Sequence, residues 1–510
     1  MISTILVFIM KISFLKRWFF FVPASSHFFL VLILTIYTSY VLPPTVLPTY
    51  LIFSGVFLIS TLFSLNSILR FRTSVFYYLL NLMFLLGFWF KYSLQKITSL
   101  NYREPIGLFI ESPEAETRVL WVVIWGMLGF ILSQASSYFL FNKAKISESL
   151  DRKNRLSKKG LVLLIASAIV LSLLNLKFNI LLFALRPSVI LPLKGNAIYF
   201  LALTRGILFL FFFYFFRTFS IKMVFWGALI ASICSIGVLS RMVVLIYFSV
   251  PMILILQNLA IWRFKKTLFN ILITLLIFAL FSFSTVLIST GLRNIYIKQP
   301  SPSQSKVVKD QETTIQKLDS QQSLPPENKI IESQKITLHE FDLKQEAKTY
   351  KSLALGRWIG IEGVMAVDSY PQKSFAFLWD ALKEEGYRGR SFYTKISNPA
   401  ISPTAPIGEI ISTSVPGPIA FFYYSGNTLF VFFAIFASTF LLSSLEQLAL
   451  KFSKNNAVGV FISTFIVFDF FQFGISPLAF VRYLSFSLVS IAIFYYFIGY
   501  RHQKGIYENN

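Results

Sequence analysis

Residues 119–141 read VLWVVIWGMLGFILSQASSYFLF, and residues 142–159 continue NKAKISESLDRKNRLSKK. The first stretch holds no charged side chain. A helix of that length, at about 1.5 Å per residue, crosses the roughly 30 Å hydrocarbon core of a bilayer. The second stretch is dense in Lys and Arg, the residues that collect at cytoplasmic helix ends. An apolar run followed by a basic connection recurs along the chain, and it decides the fold class: an all-α polytopic membrane protein. The runs do not alternate with period two, so a membrane barrel is not expected.

Composition agrees. The 510 residues are 55% hydrophobic, 17% aromatic and 14% charged, where soluble domains carry roughly a quarter charged residues. The formal charge of +24 comes from 47 basic and 23 acidic residues. In a soluble protein it would point to nucleic acid. Here it reads as the topology signal, and no nucleic-acid partner is expected. Cys234 is the single cysteine, so the chain forms no internal disulfide. The N-terminus places Lys and Arg before a long apolar stretch, with no small-residue cleavage site, and reads as a retained signal anchor.

The pattern predicts about twelve transmembrane helices near 20–42, 49–68, 73–91, 119–141, 160–178, 197–216, 222–240, 243–262, 268–290, 417–443, 456–474 and 478–500. With the N-terminus inside, every inner connection is basic: Arg70 and Arg72, the 142–159 stretch, Arg217 with Lys222, Arg263 with Lys265 and Lys266, Lys451 with Lys454, and the tail with Arg501 and Lys504. Both termini are therefore expected in the cytoplasm. The chain divides into a membrane bundle (1–290, about nine helices), a large outer loop (291–416), and three C-terminal helices with a short tail (417–510). Within the loop, residues 291–349 are rich in Ser, Gln, Lys and Pro and read as a flexible insert. Residues 350–416 regain Trp, Tyr, Phe and Gly and read as ordered. A helix is expected through "ALGRWIGIEGVMAVDSYP" up to Tyr370, an amphipathic helix in "SFAFLWDALKEEG" ended by Gly386, and irregular chain in "YRGRSFYTKISNPAISPTAPIGEI".

Charged residues inside a bilayer are costly and are functional candidates. Arg205 lies about 12 Å below the outer boundary at 1.5 Å per residue. Arg241, Asp469 and Arg482 lie at outer helix ends. The ordered loop adds Arg357, Arg388 and Arg390. Arginine stays charged and presents a planar set of donors that suits phosphate, so Arg205, Arg241, Arg388, Arg390 and Arg482 are candidate ligands of a lipid-linked diphosphate. Trp358, Tyr387 and Tyr393 are candidates to stack on sugar rings. Glu362 and Asp368 are candidate general bases, and Arg357 a catalytic candidate beside them. Competing readings stand next to these: Arg241 and Arg482 could snorkel to headgroups, Asp469 and Arg482 could pair structurally, and Gly356, Gly360 and Gly363 could serve only close helix packing. The sequence has no P-loop and no His, Asp or Glu cluster at metal-ligand spacing; no metal or other cofactor is expected.

Architecture and two local features together resemble the bacterial O-antigen polymerase family (Wzy-type) and its relatives in exopolysaccharide synthesis. "LSRMVVLIY" (239–247) resembles the Ser-Arg step at an outer helix start, and "RWIGIEGVMAV" (357–367) with "VPGPIAFFYYSGN" (415–427) resembles large-loop segments of polymerase-like proteins. The long polar 300–345 insert departs from that family. The resemblance implies a metal-independent glycosyltransferase of the bacterial cytoplasmic (inner) membrane, acting in lipopolysaccharide or exopolysaccharide synthesis. It would join undecaprenyl-diphosphate-linked repeat units at the outer face. Arg241 would hold the diphosphate, and Arg357 with Arg388 or Arg390 would complete the site. A flippase and a chain-length regulator would be its partners beside the lipid bilayer. An O-antigen ligase and a polysaccharide flippase are the alternatives. The ligase commonly uses a loop histidine, for which only His339 is available. The flippase would line a central path at mid-depth.

Overall fold

The computed structural model describes residues 29–66, 74–99, 102, 104–141, 158–182, 187–189, 191–192, 195–216, 219–240, 242–258, 264–298, 359–384, 392–398, 415–453, 455–471 and a few positions from 477 to 485. Among these the regular structure is entirely helical. Helices α1 (Phe29–Val41), α2 (Leu47–Asn66), α3 (Val75–Thr98), α4 (Pro113–Phe141), α5 (Lys158–Phe178), α6 (Gly195–Tyr214), α7 (Ile221–Gly237), α8 (Met242–Asn258) and α9 (Phe264–Lys298) precede the large loop. The loop holds three short helices, α10 (Ile361–Asp368), α11 (Phe375–Leu382) and α12 (Phe392–Ser397). After it come α13 (Gly417–Phe422), α14 (Thr428–Ser453) and α15 (Asn456–Phe471). Seven of these helices are long and apolar enough to cross a membrane, and α1, α7, α8 and α15 are shorter apolar helices.

The helices follow the expected runs, with several departures. The run at 73–91 extends to Thr98, because "KYSLQKIT" holds good helix formers, and it stops where Ser99 turns left-handed (φ 49°). The run at 268–290 extends over Phe264–Lys298. The run at 417–443 is broken: α13 ends in a tight turn, closed by Gly426 at φ 72°, before α14 begins at Thr428. The stretch read as irregular around 387–410 contains the helix α12. The helix expected through residue 370 is the shorter α10. The signal anchor, the 300–345 insert and most of the run at 478–500 lie outside the described residues.

Helix α3 is the centre. Of its most apolar window, 78% is buried, against 17% for α5 and 11% for α9. A helix that is apolar all round and still exposed faces lipid, so α5 and α9 are the periphery. One half of the bundle packs α2, α3 and α15 around α4 and α14; the other packs α5, α8 and α9 around α7; α15 joins them through α8 and α6. Lipid tails give no hydrophobic drive between helices, so polar side chains and close packing hold them. Tyr77 bonds Ser133 Oγ (2.7 Å) and Ser443 Oγ (2.9 Å), Trp89 donates to Ser54 (3.0 Å), and Gln134 donates to Ser64 (3.0 Å).

The contacts keep the two ends of the bundle apart. At one end Glu446 of α14 caps the start of α3: its carboxylate accepts from the backbone N–H groups of Val75 (2.8 Å) and Phe76 (3.3 Å) and from the hydroxyls of Ser74 and, on α15, Ser463 (2.6 Å). The bare N–H groups of a helix start need such an acceptor, and the helix dipole favours its charge. At this same end Asn456 donates to Gln257 (2.8 Å). The large loop packs at the other end.

Candidate functional site

The loop segment after Trp358 does not lie on top of the bundle; it enters it. Residues Ile361 to Val367 are all buried, and Ile361, Val364, Met365, Ala366 and Val367 are fully so. Three glycines let the backbone in. A methyl on Gly360 would overlap the carbonyl oxygen of Gly87 on α3, and one on Gly87 would overlap that of Ile359. A methyl on Gly363 would overlap the carbonyl of Pro416, just ahead of α13. Helix α10 also packs on α4, α12 and α13. The α3–α4 connection closes the arrangement: Gly107 N–H donates to Ser397 O (2.9 Å) and Leu108 N–H to Ser369 Oγ (3.2 Å). Ser374 donates to Tyr424 O (2.8 Å) and caps α11 by accepting from Phe377 N–H (3.1 Å).

Entry of α10 carries Glu362 to Lys91. The ammonium lies 2.5 Å from Glu362 Oε1, with both side chains nearly sealed (6% and 2% exposed). The approach lies outside hydrogen-bond geometry, and neither carboxylate oxygen accepts an aligned side-chain hydrogen bond; the contact is an ion pair. Burial pushes the Glu362 carboxyl above the ordinary carboxylate range, against the pull of Lys91. Two buried phenols sense its charge. Tyr102 and Tyr393 are raised by burial and then by nearby carboxylates, Glu362 among them. Tyr102 Oη and Tyr424 Oη are buried without a hydrogen-bond partner among the described residues. Lys91 reaches this place from the end of a π-helical turn, Leu85–Phe90; such insertions shift helix phase and recur at functional sites.

Asp368, six residues along the same helix, has other neighbours. Tyr423 Oη donates to Oδ1 (3.0 Å), Arg118 Nη2 to Oδ2 (3.2 Å), and Lys373 Nζ lies 3.9 Å from Oδ1 while donating to the Asp368 carbonyl. The Arg118 side chain is 60% exposed and the Asp368 side chain 3%. Burial lowers the Lys373 ammonium, while Asp368 draws it back up. The Tyr423 phenol is raised by burial and by Asp368. Nearby, α11 and α12 meet through Glu384, which accepts from Phe392 N–H (3.1 Å) and is pushed up to about 7 by burial.

Arg205 lies in a second π-helical turn, Ala202–Gly206, inside α6. Its Nη2 donates to both carboxylate oxygens of Asp469 on α15 (2.9 and 2.7 Å), and its guanidinium sits 3.2 Å from the Phe465 ring centre. The partner seen for Asp469 is thus Arg205, where the sequence pointed to Arg482. Arg482 is exposed. Tyr393 is 2% exposed, so its ring presents no open face for a sugar in this arrangement. Arg241, Arg357, Trp358, Tyr387, Arg388 and Arg390 lie outside the described residues.

The structure therefore brings Glu362, Asp368 and Tyr393 to one end of the bundle. Around them it places Lys91, Tyr102, Glu104, Arg118 and Glu384, which the sequence did not single out. Lys91 had a visible signal, a lone cation in "GFWFKYS" after an apolar run. Compared with family models, with curated proteins and with solved structures, the chain matches none.

Proposed function

We propose that this chain is a membrane glycosyltransferase that joins undecaprenyl-diphosphate-linked oligosaccharide repeat units at the outer face of the bacterial cytoplasmic membrane. The observation that carries the reading is Glu362: a carboxyl with raised proton affinity, inside the bundle, on the segment that also bears Arg357. A general base works best with a pKa near the working pH, and burial is the usual way to lift a carboxyl there. Glu362, closed off here at 2% side-chain exposure, takes the proton of an acceptor sugar hydroxyl once the incoming sugar parts the side chains over it, as that oxygen bonds to the anomeric carbon of the donor. The bond from that carbon to the diphosphate breaks, and undecaprenyl diphosphate leaves with the electron pair. Arg241, Arg357 and Arg388 or Arg390 meet the departing charge, which is the larger part of catalysis. Asp368 is the weaker candidate, because its oxygens already accept from Tyr423 and Arg118.

One observation favours a second reading. Buried charge pairs such as Arg205–Asp469 and Lys91–Glu362 also occur in transporters, which use ionisable groups along substrate paths. Deletion in the native host separates the readings by glycan gel. A polymerase loss leaves one repeat unit on the core. A ligase loss accumulates lipid-linked polymer without surface glycan, and a flippase loss traps single units inside. The expected result is the single unit, and Arg241→Ala, Arg357→Ala and Glu362→Gln reproduce it at normal expression. An unchanged ladder after deletion ends the glycan reading; wild-type ladders in the three variants end the site assignment.

A further inference from the structure

We propose that Lys91 is the positioning residue of Glu362: it draws the loop segment 359–367 into the bundle and favours the charged carboxylate once there. The catalytic half of this inference rests on the polymerase reading; the docking half does not. The pair forms only when the segment is docked, since the backbone contact of Gly87 with Gly360 lies beside it. A buried carboxylate without a partner is costly. Glu362 therefore needs Lys91. Removing Lys91 strands the carboxylate's charge, whereas neutralising both leaves the packing intact.

The other groups around Glu362 do not replace Lys91. From the α3–α4 connection come Tyr102 and Glu104, whose charge raises the Glu362 carboxyl further. From α12 comes the Tyr393 phenol. On α4, Glu116 is held by Lys96 (2.7 Å) and Tyr92 (2.8 Å). On α10 itself Asp368 is held by Arg118 and Tyr423. Helix α13 carries no ionisable side chain, and Tyr424 follows it. Lys91 is the cation the described residues place against Glu362.

The linkage has a definite sign. Burial already makes the docked carboxyl bind its proton more tightly than the released one, and without Lys91 the difference grows. Docking is then favoured as pH falls and lost as pH rises through the docked pKa. The test is hydrogen exchange of residues 359–367 in the full-length protein in lipid nanodiscs, alongside the glycan ladder in the host. In the wild type protection falls less on going from mildly acidic to mildly alkaline pH than it does in Lys91→Met. Lys91→Met loses protection at alkaline pH, regains it in acid, and loses the ladder. The double variant Lys91→Met with Glu362→Gln regains protection at every pH while the ladder stays absent. A merely space-filling Lys91 would give an effect without pH dependence. Protection in Lys91→Met equal to wild type at all pH values, or no recovery in the double variant, overturns the proposal. Normal pH-linked exchange in Lys91→Met, together with an intact ladder on deletion of the whole gene, fails the polymerase reading and leaves the docking pair standing.

Discussion

Glu362 and Asp368 share one short helix and differ in everything around them. Asp368 receives a phenol and a guanidinium with an ammonium close by; Glu362 faces one ammonium from inside the apolar core. Separate environments set separate roles for like groups. Glu384 is a third case, open to test. Its pKa of about 7 stands above the ordinary carboxylate value of 4.5. Folding therefore favours the protonated form: the penalty of burying its charge is fully present above about 7 and fades as pH falls toward the ordinary value. Glu384→Gln should remove the pH dependence of the protection factors of residues 392–398, measured against intrinsic exchange at each pH, and should raise those factors in alkaline buffer. At this scale the sequence showed the acids, because the ordered loop carries carboxylates that the apolar runs nearly lack. It did not show their partners. Lys91 was placed at a span end, where a cation is unremarkable, while α3 in fact continues to Thr98. The meeting of Asp469 with Arg205 was not legible, because the facing of α6 and α15, both apolar nearly all round, leaves no periodic trace.

Helix α10 is eight residues long, too short to be stable alone, so its stability comes from insertion. Its glycines are where that insertion is decided. Gly360→Ala pushes a methyl into the carbonyl of Gly87, backbone against backbone, and should cost about 3 kcal/mol, at the upper end of overpacking. Gly291→Ala in α9 meets nothing within 4 Å and should raise stability by up to about 1 kcal/mol, because Ala is the better helix former. Thermal unfolding of the two purified proteins, followed by size-exclusion, checks both; equal melting would mean the segment is not held against α3. The helical class was legible, since apolar length marks the helices; seven of them are long enough to cross a membrane, where the sequence leads us to expect about twelve spans. The break between α13 and α14 was not legible. Residues 417–443 read as one apolar run, and only Gly426, at φ 72°, marks a turn that lets α13 join the loop cluster. Nor could composition tell that α10 goes inside: "IGIEGVMAV" is apolar enough for a core, yet it sits in a loop.

At the scale of the whole molecule, direction is the open quantity. Contacts sort residues into two ends: Gly87, Lys91, Arg118, Glu362 and Asp368 meet at one, and Ser74, Glu446, Gln257 and Asn456 at the other. The helices must alternate for this to hold, as the basic connections required. The second end is the one to which the sequence assigns Arg70, Arg72 and the 142–159 stretch; the polymerase reading needs it in the cytoplasm, as the positive-inside rule expects. Cys234 is fully buried, so engineered cysteines can be read without removing it. A membrane-impermeant maleimide should label Ser303→Cys in intact cells, whereas Ser149→Cys should label only after permeabilisation. The reverse pattern would turn the molecule over. Glu362 would then open toward the cytoplasm, where a repeat unit has not yet been flipped, and the polymerase reading would fall with its orientation even if every residue of the site stood.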